Sequence, residues 1–284
     1  MFKTYYQLTK PGIIYGNLVT TTAGFLLAAR GHVYYWLLLN TLLSISLIIA
    51  SACVFNNYID RSIDQKMART KNRALASGRV SSMLALIYAG ALGVAGFVVL
   101  GLSTNALTVY LGFIAIVVYV ILYGVAKRRT VHSTVIGSVA GALPPVAGYT
   151  AYTHHLDGAA GLLFLLMVCW QMPHFYAIAV YRLKDYKTAG LPVLPVKYGL
   201  NITKRYIVMY IFGFIIASSL LTLLGYTGIS FLIIMVLVGL VWLRLAIKGF
   251  WVKEDATWAR QLFVFSLIVT LTMSVMLSIG GILP

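Results

Sequence analysis

The sequence predicts an all-α membrane protein, in which nine transmembrane helices surround a central cavity that is open toward the cytoplasmic side. Of the 284 residues, 61% are hydrophobic and only 10% are charged, and the mean hydropathy is +0.91. A soluble globular domain carries roughly a quarter charged residues, so this composition excludes a water-soluble monomer. No alternating strand pattern is present, and lipid leaves exposed backbone groups unsatisfied, so helices must form the spans. We expect one transmembrane domain over residues 1–284.

The helices are predicted from apolar runs. A helix needs about 20 apolar residues to cross the hydrocarbon core. Runs of that length cover residues 11–29, 36–57, 82–103, 105–125, 133–153, 159–181, 205–225, 229–248 and 260–281. The first run continues for a full span, so we interpret it as a membrane helix and not as a cleaved signal peptide.

The basic residues predict the orientation in the membrane. The formal net charge is +16, which in a soluble protein would suggest nucleic-acid binding, but here the charges lie between apolar runs. Every Lys and Arg except Arg30 falls on one side of the nine-span topology. The positive-inside rule then predicts an inner-membrane protein with a cytoplasmic N-terminus and a C-terminus on the opposite side. No nucleic-acid partner is expected.

An acidic cluster lies at the cytoplasmic end of the second span. Asn56, Asp60 and Asp64 recur every four residues, so a continuing helix places them on one face. Two carboxylates and an amide oxygen form a hard-oxygen site of the kind that Mg²⁺ prefers. These residues are therefore candidate metal ligands for a metal-bound diphosphate. The alternative is that both aspartates form structural ion pairs with nearby basic residues.

A dense basic run follows the acidic cluster directly. It contains Arg69, Lys71 and Arg73, and guanidinium groups are well shaped to hold the oxygens of a diphosphate. Carboxylates for the metal and cations for the phosphates are complementary requirements of one substrate. Charges placed only to orient the protein would explain the run, but not its position beside the acids.

A further basic cluster ends the fourth span. Lys127 and Arg128 follow Tyr123 and are candidates for closing the pocket over the diphosphate. A positive-inside stop signal explains them equally well. Tyr123 and Asn57 are expected to support the site.

The end of the sixth span carries a second group of candidate site residues. His174, Tyr181 and Asp185 are separated by seven and four residues, which predicts one helical stripe leading toward the cytoplasm. Asp185 could supply a facing metal ligand. Ionisable groups inside a membrane favour a functional role. The alternative for His174 is that it satisfies a backbone carbonyl freed by Pro173.

These motifs resemble those of a known family, the UbiA-type intramembrane prenyltransferases, and more narrowly the members that farnesylate haem. The resemblance covers essentially the whole chain and includes the number of spans. It is carried by four blocks in order: Thr9-Lys10-Pro11-Gly12, Cys53 through Arg61 with Asp64 and Arg69 through Leu75, Trp170 through His174, and Asp185 through Pro195.

The resemblance implies a transferase that moves the farnesyl group of farnesyl diphosphate to a vinyl group of haem B. It implies one or two Mg²⁺ ions as the only cofactor, since haem is a substrate. Asp60, Asp64 and Asp185 would then be the catalytic acids, and His174, Tyr181 and Arg182 would contact the haem. Besides membrane lipid, the next enzyme of haem A synthesis or a terminal oxidase assembly is suggested as a partner.

One departure from the wider family concerns the second acidic motif. Many members carry an aspartate pair there, whereas this chain has only Asp185 after Tyr181. This leaves the coordination of a second metal open and favours a haem acceptor over an aromatic quinone precursor, which remains the first alternative. The second alternative is a non-catalytic haem transporter, which would carry its acids at mid-membrane along a path.

Overall fold

The computed structural model describes residues 2–280, and that part of the chain is helical without a strand. The all-α prediction is therefore confirmed. The α-helices, numbered in chain order, are α1 Phe2–Leu8, α2 Pro11–Ala29, α3 Tyr35–Asp64, α4 Ser82–Ser103, α5 Ala106–Val117, α6 Tyr123–Arg129, α7 Ser133–Thr153, α8 Gly158–Tyr181, α9 Leu183–Thr188, α10 Leu194–Lys197, α11 Gly199–Leu223, α12 Ile229–Lys248 and α13 Asp255–Gly280.

Each apolar run of the sequence corresponds to a long helix, but several helices extend beyond the run. Helix α3 continues past residue 57 to Asp64, α11 begins at Gly199, and α13 begins at Asp255. Hydropathy marks the part of a helix that lies in hydrocarbon, whereas polar turns at its end stay helical outside the hydrocarbon. Residue 281, the last of the predicted ninth span, lies outside the described residues.

Within residues 2–280, eight helices are long and apolar enough to cross a membrane. The protein is therefore an integral membrane protein. The eight include the combined segment Ala106–Arg129 but not Ser133–Thr153, a helix that contains Pro144 and Pro145. The count of nine spans and the opening of the cavity stay predictions.

The fourth long helical segment changes its hydrogen-bond pattern before it reaches the basic cluster. Between α5 and α6, residues Val118–Leu122 form one π-helical turn, and the N–H of Tyr123 bonds to the carbonyl of Val118. Such turns are frequent at functional sites, and they shift the register of the following side chains. Here the following helix, α6, carries Lys127.

Helices α2 and α7 cross at very close range. A Cβ at Gly24 would lie 2.8 Å from the carbonyl carbon of Pro145, and a Cβ at Gly148 would lie 3.1 Å from that of Thr21. Since the obstacles are backbone atoms, a rotamer change cannot relieve the overlap. These glycines let the two helices approach at a distance that side chains would prevent.

We expect Gly24→Ala to destabilise the protein by about 1–3 kcal/mol, because the two backbones must move apart. Gly16→Ala is the matched control in the same helix, since nothing lies within 4 Å of its Cβ position. Gly16→Ala should leave the stability of the protein unchanged or increase it slightly. Thermal unfolding of both variants in detergent measures the difference, and equal transition temperatures would contradict the close crossing.

Candidate active site

One face of α3 gathers the acidic cluster at the end of the bundle that carries nearly all Lys and Arg residues, here called the basic end. Asn56, Asp60 and Asp64 lie at consecutive positions of the i, i+4 spacing, inside the helix. Asn56 is 3% exposed and Asp64 is 2% exposed. Their oxygens therefore point into protein and not into bulk solvent.

Asp64 is bound by the basic loop that follows α3. Nη1 of Arg73 donates to both carboxylate oxygens of Asp64 at 2.9 Å. The hydroxyl of Thr70 donates to the backbone carbonyl of Asp64 at 3.0 Å, which folds the loop back onto the helix end. Lys71, in contrast, is exposed on this loop. The loop therefore brings one predicted diphosphate ligand, Arg73, onto a predicted metal ligand.

Asp60 is bound from α6. Nζ of Lys127 forms an ion pair with Oδ2 of Asp60, and the guanidinium of Arg128 lies 3.8 Å from Oδ1. In the described part of the chain, Oδ1 of Asp60 is buried and has no hydrogen-bond donor. The Lys127 ammonium also lies 5.1 Å from the ring centroid of Tyr123. The cluster at the end of the fourth span thus belongs to the same site as Asp60.

Asn56 is bound by a residue to which the sequence assigned no chemical role. Nζ of Lys10 donates to Oδ1 of Asn56 at 2.9 Å. Lys10 adopts a left-handed conformation, with φ of 53°, which is uncommon for a residue with a side chain and clusters at functional sites. The block Thr9-Lys10-Pro11-Gly12 was the only sequence signal for it. Next to it, Nδ2 of Asn57 donates to the carbonyl of Leu8 at 2.8 Å and anchors α1.

The environment of Lys10 favours close contact with an anion. Burial lowers the pKa of Lys10 to about 8, and the neighbouring Asp60 opposes this effect. At pH 7 the ammonium is therefore still mostly protonated. A desolvated cation of this kind gains more from an anionic partner than an exposed lysine does, because water screens it less.

Another group of charges surrounds Tyr186 on α9. Burial raises the pKa of Tyr186, the positive charge of Arg69 opposes this most strongly, and Asp185, Arg182 and Arg73 act on it as well. The loop after α3 therefore faces the segment after α8. This brings the two long loops at the basic end together, as a shared diphosphate site requires.

The continuous stripe predicted from His174 to Asp185 is wrong. Helix α8 ends at Tyr181, Arg182 has φ of −106° and ψ of 26°, and Asp185 lies on the separate helix α9. The segment after Arg182 is polar and forms a separate short helix. Among the described residues, no three Asp, Glu, His or Cys side chains converge on one ion, so Asp185 does not join Asp60 and Asp64 in one metal-sized cluster.

His174 faces α13 and not the acidic face of α3. Its Nδ1 lies 2.7 Å from Oγ of Ser266, and its ring stacks on Trp170 with the centroids 4.9 Å apart. At the end of the same helix, the guanidinium of Arg182 lies 4.5 Å from the ring centroid of Tyr181. The three candidate acceptor contacts therefore follow α8, apart from the acids. Ser266 had no signal in the sequence.

The comparisons with known proteins identify the family of the chain. Residues 17–268 match the UbiA prenyltransferase family. The chain therefore belongs to this family, and it is a membrane-embedded prenyltransferase. It is 50% identical over 286 residues to a protein of Sodalis glossinidius and 49% identical over 285 residues to one of Klebsiella pneumoniae, each named protoheme IX farnesyltransferase. Both alignments cover 100% of this chain, and they cover 96% and 97% of the relatives.

Solved structures share the fold at low sequence identity. A digeranylgeranylglyceryl phosphate synthase superposes with a TM-score of 0.81 at 19% identity, over 99% of this chain and 98% of that one. A UbiA homolog from Archaeoglobus fulgidus, bound to GPP and Mg²⁺, superposes with a TM-score of 0.74 at 17% identity, over 97% and 99% of the two chains. At this identity the likeness shows the fold alone.

Proposed function

We propose that this protein transfers the farnesyl group of farnesyl diphosphate to a vinyl group of haem B, giving haem O and diphosphate. The observation that carries the proposal is the alternation of acids and cations at the basic end, where Asp60 and Asp64 each face a cation from a different element. The acceptor and the prenyl chain are inferred from relatives that are about half identical over the full length of the chain.

The face of α3 that carries Asn56, Asp60 and Asp64, called the α3 face below, fits a divalent metal ion that prefers oxygen ligands. It offers two carboxylates and one amide oxygen, and Oδ1 of Asp60 is buried without a donor among the described residues. Asn56, Asp60 and Asp64 would hold Mg²⁺, with Asp185 facing them across the substrate. Bound there, Mg²⁺ would neutralise charge on the departing diphosphate.

The cations of the site supply the other half of substrate binding. Lys10, Lys127 and Arg73 each bind an oxygen of a predicted metal ligand. We infer that they turn from these oxygens to the diphosphate when the substrate enters. Arg69, Lys71 and Arg128 are exposed at the same end and would complete the anion site.

The proposed reaction begins with the loss of the diphosphate. The bond between C1 of the farnesyl chain and the diphosphate oxygen breaks, and the diphosphate leaves with both electrons. The terminal carbon of a haem vinyl group forms the new bond to C1. Water then adds to the other vinyl carbon, and one proton is released to the diphosphate. The helices around the site must exclude water until the carbon bond has formed, since water would otherwise capture the farnesyl cation.

The proposal includes the placement of the protein in the cell. We infer an inner-membrane protein of one domain over residues 1–284, with a cytoplasmic N-terminus and a C-terminus on the opposite side. The concentration of Lys and Arg at one end of the helices supports this orientation. The next enzyme of haem A synthesis or a terminal oxidase assembly would be the partner that takes the product.

The experiment that tests the function is incubation of the purified protein with haem B, Mg²⁺ and farnesyl diphosphate, followed by mass analysis of the pigment. We expect haem O to form only when all three are present. A parallel reaction with hydroxybenzoate tests the alternative acceptor. A prenylated hydroxybenzoate with unchanged haem B would overturn the proposed acceptor, and no product from either would overturn the proposed transfer.

A further inference from the structure

The hydrogen bonds around Ser266 determine which nitrogen of His174 carries the proton. Oγ of Ser266 lies 2.6 Å from the carbonyl oxygen of Phe263 and 2.7 Å from Nδ1 of His174. The carbonyl can only accept, so the single hydroxyl proton of Ser266 goes to Phe263. The bond to His174 then needs a proton from the ring. Neutral His174 therefore carries its proton on Nδ1, and Nε2 presents a lone pair.

The hydrogen bond found for the His174 ring among the described residues is the one at Nδ1, which leaves Nε2 for another partner. The ring lies among aromatic side chains, with centroids 4.9 Å from Trp170, 5.0 Å from Phe263 and 5.3 Å from Phe175. His174 is only partly buried, and Nε2 is not among the fully buried polar atoms that lack a partner, so a ligand can reach this nitrogen. His174 also does not serve the carbonyl freed by Pro173, because its partner is a side chain of another helix.

We propose that Nε2 of His174 binds the iron of the haem acceptor and that Ser266 is the positioning residue that presents it. This rests on the proposed function, which makes haem the substrate. A histidine that binds a metal through Nε2 usually donates its other N–H to a fixed acceptor, which holds the ring and increases its basicity. Ser266 supplies that acceptor from α13, where it is fully buried.

The surroundings of His174 suit a porphyrin. Trp170 and Phe263 form an apolar aromatic surface beside the ring, and the neighbouring Phe175 is 38% exposed. Arg182 follows eight positions later, about 12 Å along the helix direction, at the basic end. A guanidinium there can meet a carboxylate substituent of the macrocycle, while the macrocycle remains among apolar side chains.

Substitutions at Ser266 separate the two parts of this proposal. Nε1 of Trp170 donates to the backbone carbonyl of Ser266 at 2.8 Å, so Ser266→Ala removes the hydroxyl but keeps this link between α8 and α13. Ser266→Thr retains the hydroxyl and serves as the conservative variant. Ser218→Ala is the matched control, since Ser218 is also fully buried and bonds to the carbonyl three residues before it, on α11.

The test is titration of the purified full-length protein with haem B in the absence of farnesyl diphosphate. We expect the wild type to show a histidine-ligated Soret spectrum and an iron–histidine vibration in the ferrous state. His174→Gly should lose both, and added imidazole should restore them. Ser266→Ala should bind haem about 10-fold more weakly and show a lower iron–histidine frequency, whereas Ser266→Thr and Ser218→Ala should resemble the wild type.

The outcomes distinguish this inference from the proposed function. An unchanged histidine signature in His174→Gly, or an unchanged frequency in Ser266→Ala, would overturn the inference even if the wild type makes haem O. A histidine signature that depends on His174 and Ser266, in a protein that makes no haem O, would support the haem site and overturn the proposed transfer.

Discussion

Asp60→Asn and Asp64→Asn are each expected to lower kcat/KM for farnesyl transfer by about 100-fold or more. Each change removes one negative charge from the α3 face while keeping the size of the side chain. The carboxylates are needed to hold a divalent cation against the diphosphate, and an amide oxygen binds such a cation more weakly. Product formation from haem B, at saturating and limiting Mg²⁺, measures the loss.

A comparable aspartate outside the site controls for stability. Oδ1 of Asp255 lies 2.5 Å from Nζ of Lys204, and this pair, in which Lys204 is buried and Asp255 half-buried, also lies at the basic end. Asp255→Asn should therefore lower the thermal stability, because Lys204 is left unpaired, but it should leave kcat/KM close to the wild-type value. If Asp60→Asn and Asp64→Asn retained wild-type transfer, α3 could not be the metal-binding face.

Much of the fold could be predicted because membrane helices obey a simple rule of length and polarity. The run 82–103 coincides with α4, and the run 229–248 coincides with α12. The ends of other helices could not be predicted in this way. The polar turn that carries Asp60 and Asp64 remains helical beyond the apolar run because backbone bonds and Arg73 stabilise it there, and hydropathy measures neither.

The site was predicted only as far as local spacing allows. The i, i+4 pattern correctly placed Asn56, Asp60 and Asp64 together, because residues four positions apart lie on the same face of a helix. The contacts of Lys10 with Asn56 and of Ser266 with His174 cross 46 and 92 positions of sequence. These contacts depend on how the helices pack, so no local sequence pattern predicts them. The break at Arg182, between the end of α8 and the start of α9, likewise had no signal in the spacing of the side chains.

Lys127→Met is expected to change the affinities for metal and for farnesyl diphosphate in opposite directions. Lys127 binds Asp60 and, in the proposed complex, would bind the diphosphate. Charge-assisted hydrogen bonds contribute about 1.5–3 kcal/mol, so its loss should raise KM for farnesyl diphosphate by roughly 10-fold or more. Without diphosphate, the same loss frees the Asp60 carboxylate from a competing cation, and a divalent ion should bind more tightly.

The two affinities can be measured separately. Mn²⁺, which takes similar oxygen ligands, reports metal binding by its EPR signal when no diphosphate is present, and steady-state kinetics report KM. Lys204→Met is the control, because Lys204 also pairs with an aspartate at the basic end but lies outside the α3 face. Lys204→Met should change neither the affinity for Mn²⁺ nor KM for farnesyl diphosphate. If Lys127 competes with the metal ion for Asp60, its removal must strengthen Mn²⁺ binding. Weaker Mn²⁺ binding in Lys127→Met would therefore contradict the competition and mean that Lys127 stabilises the metal site.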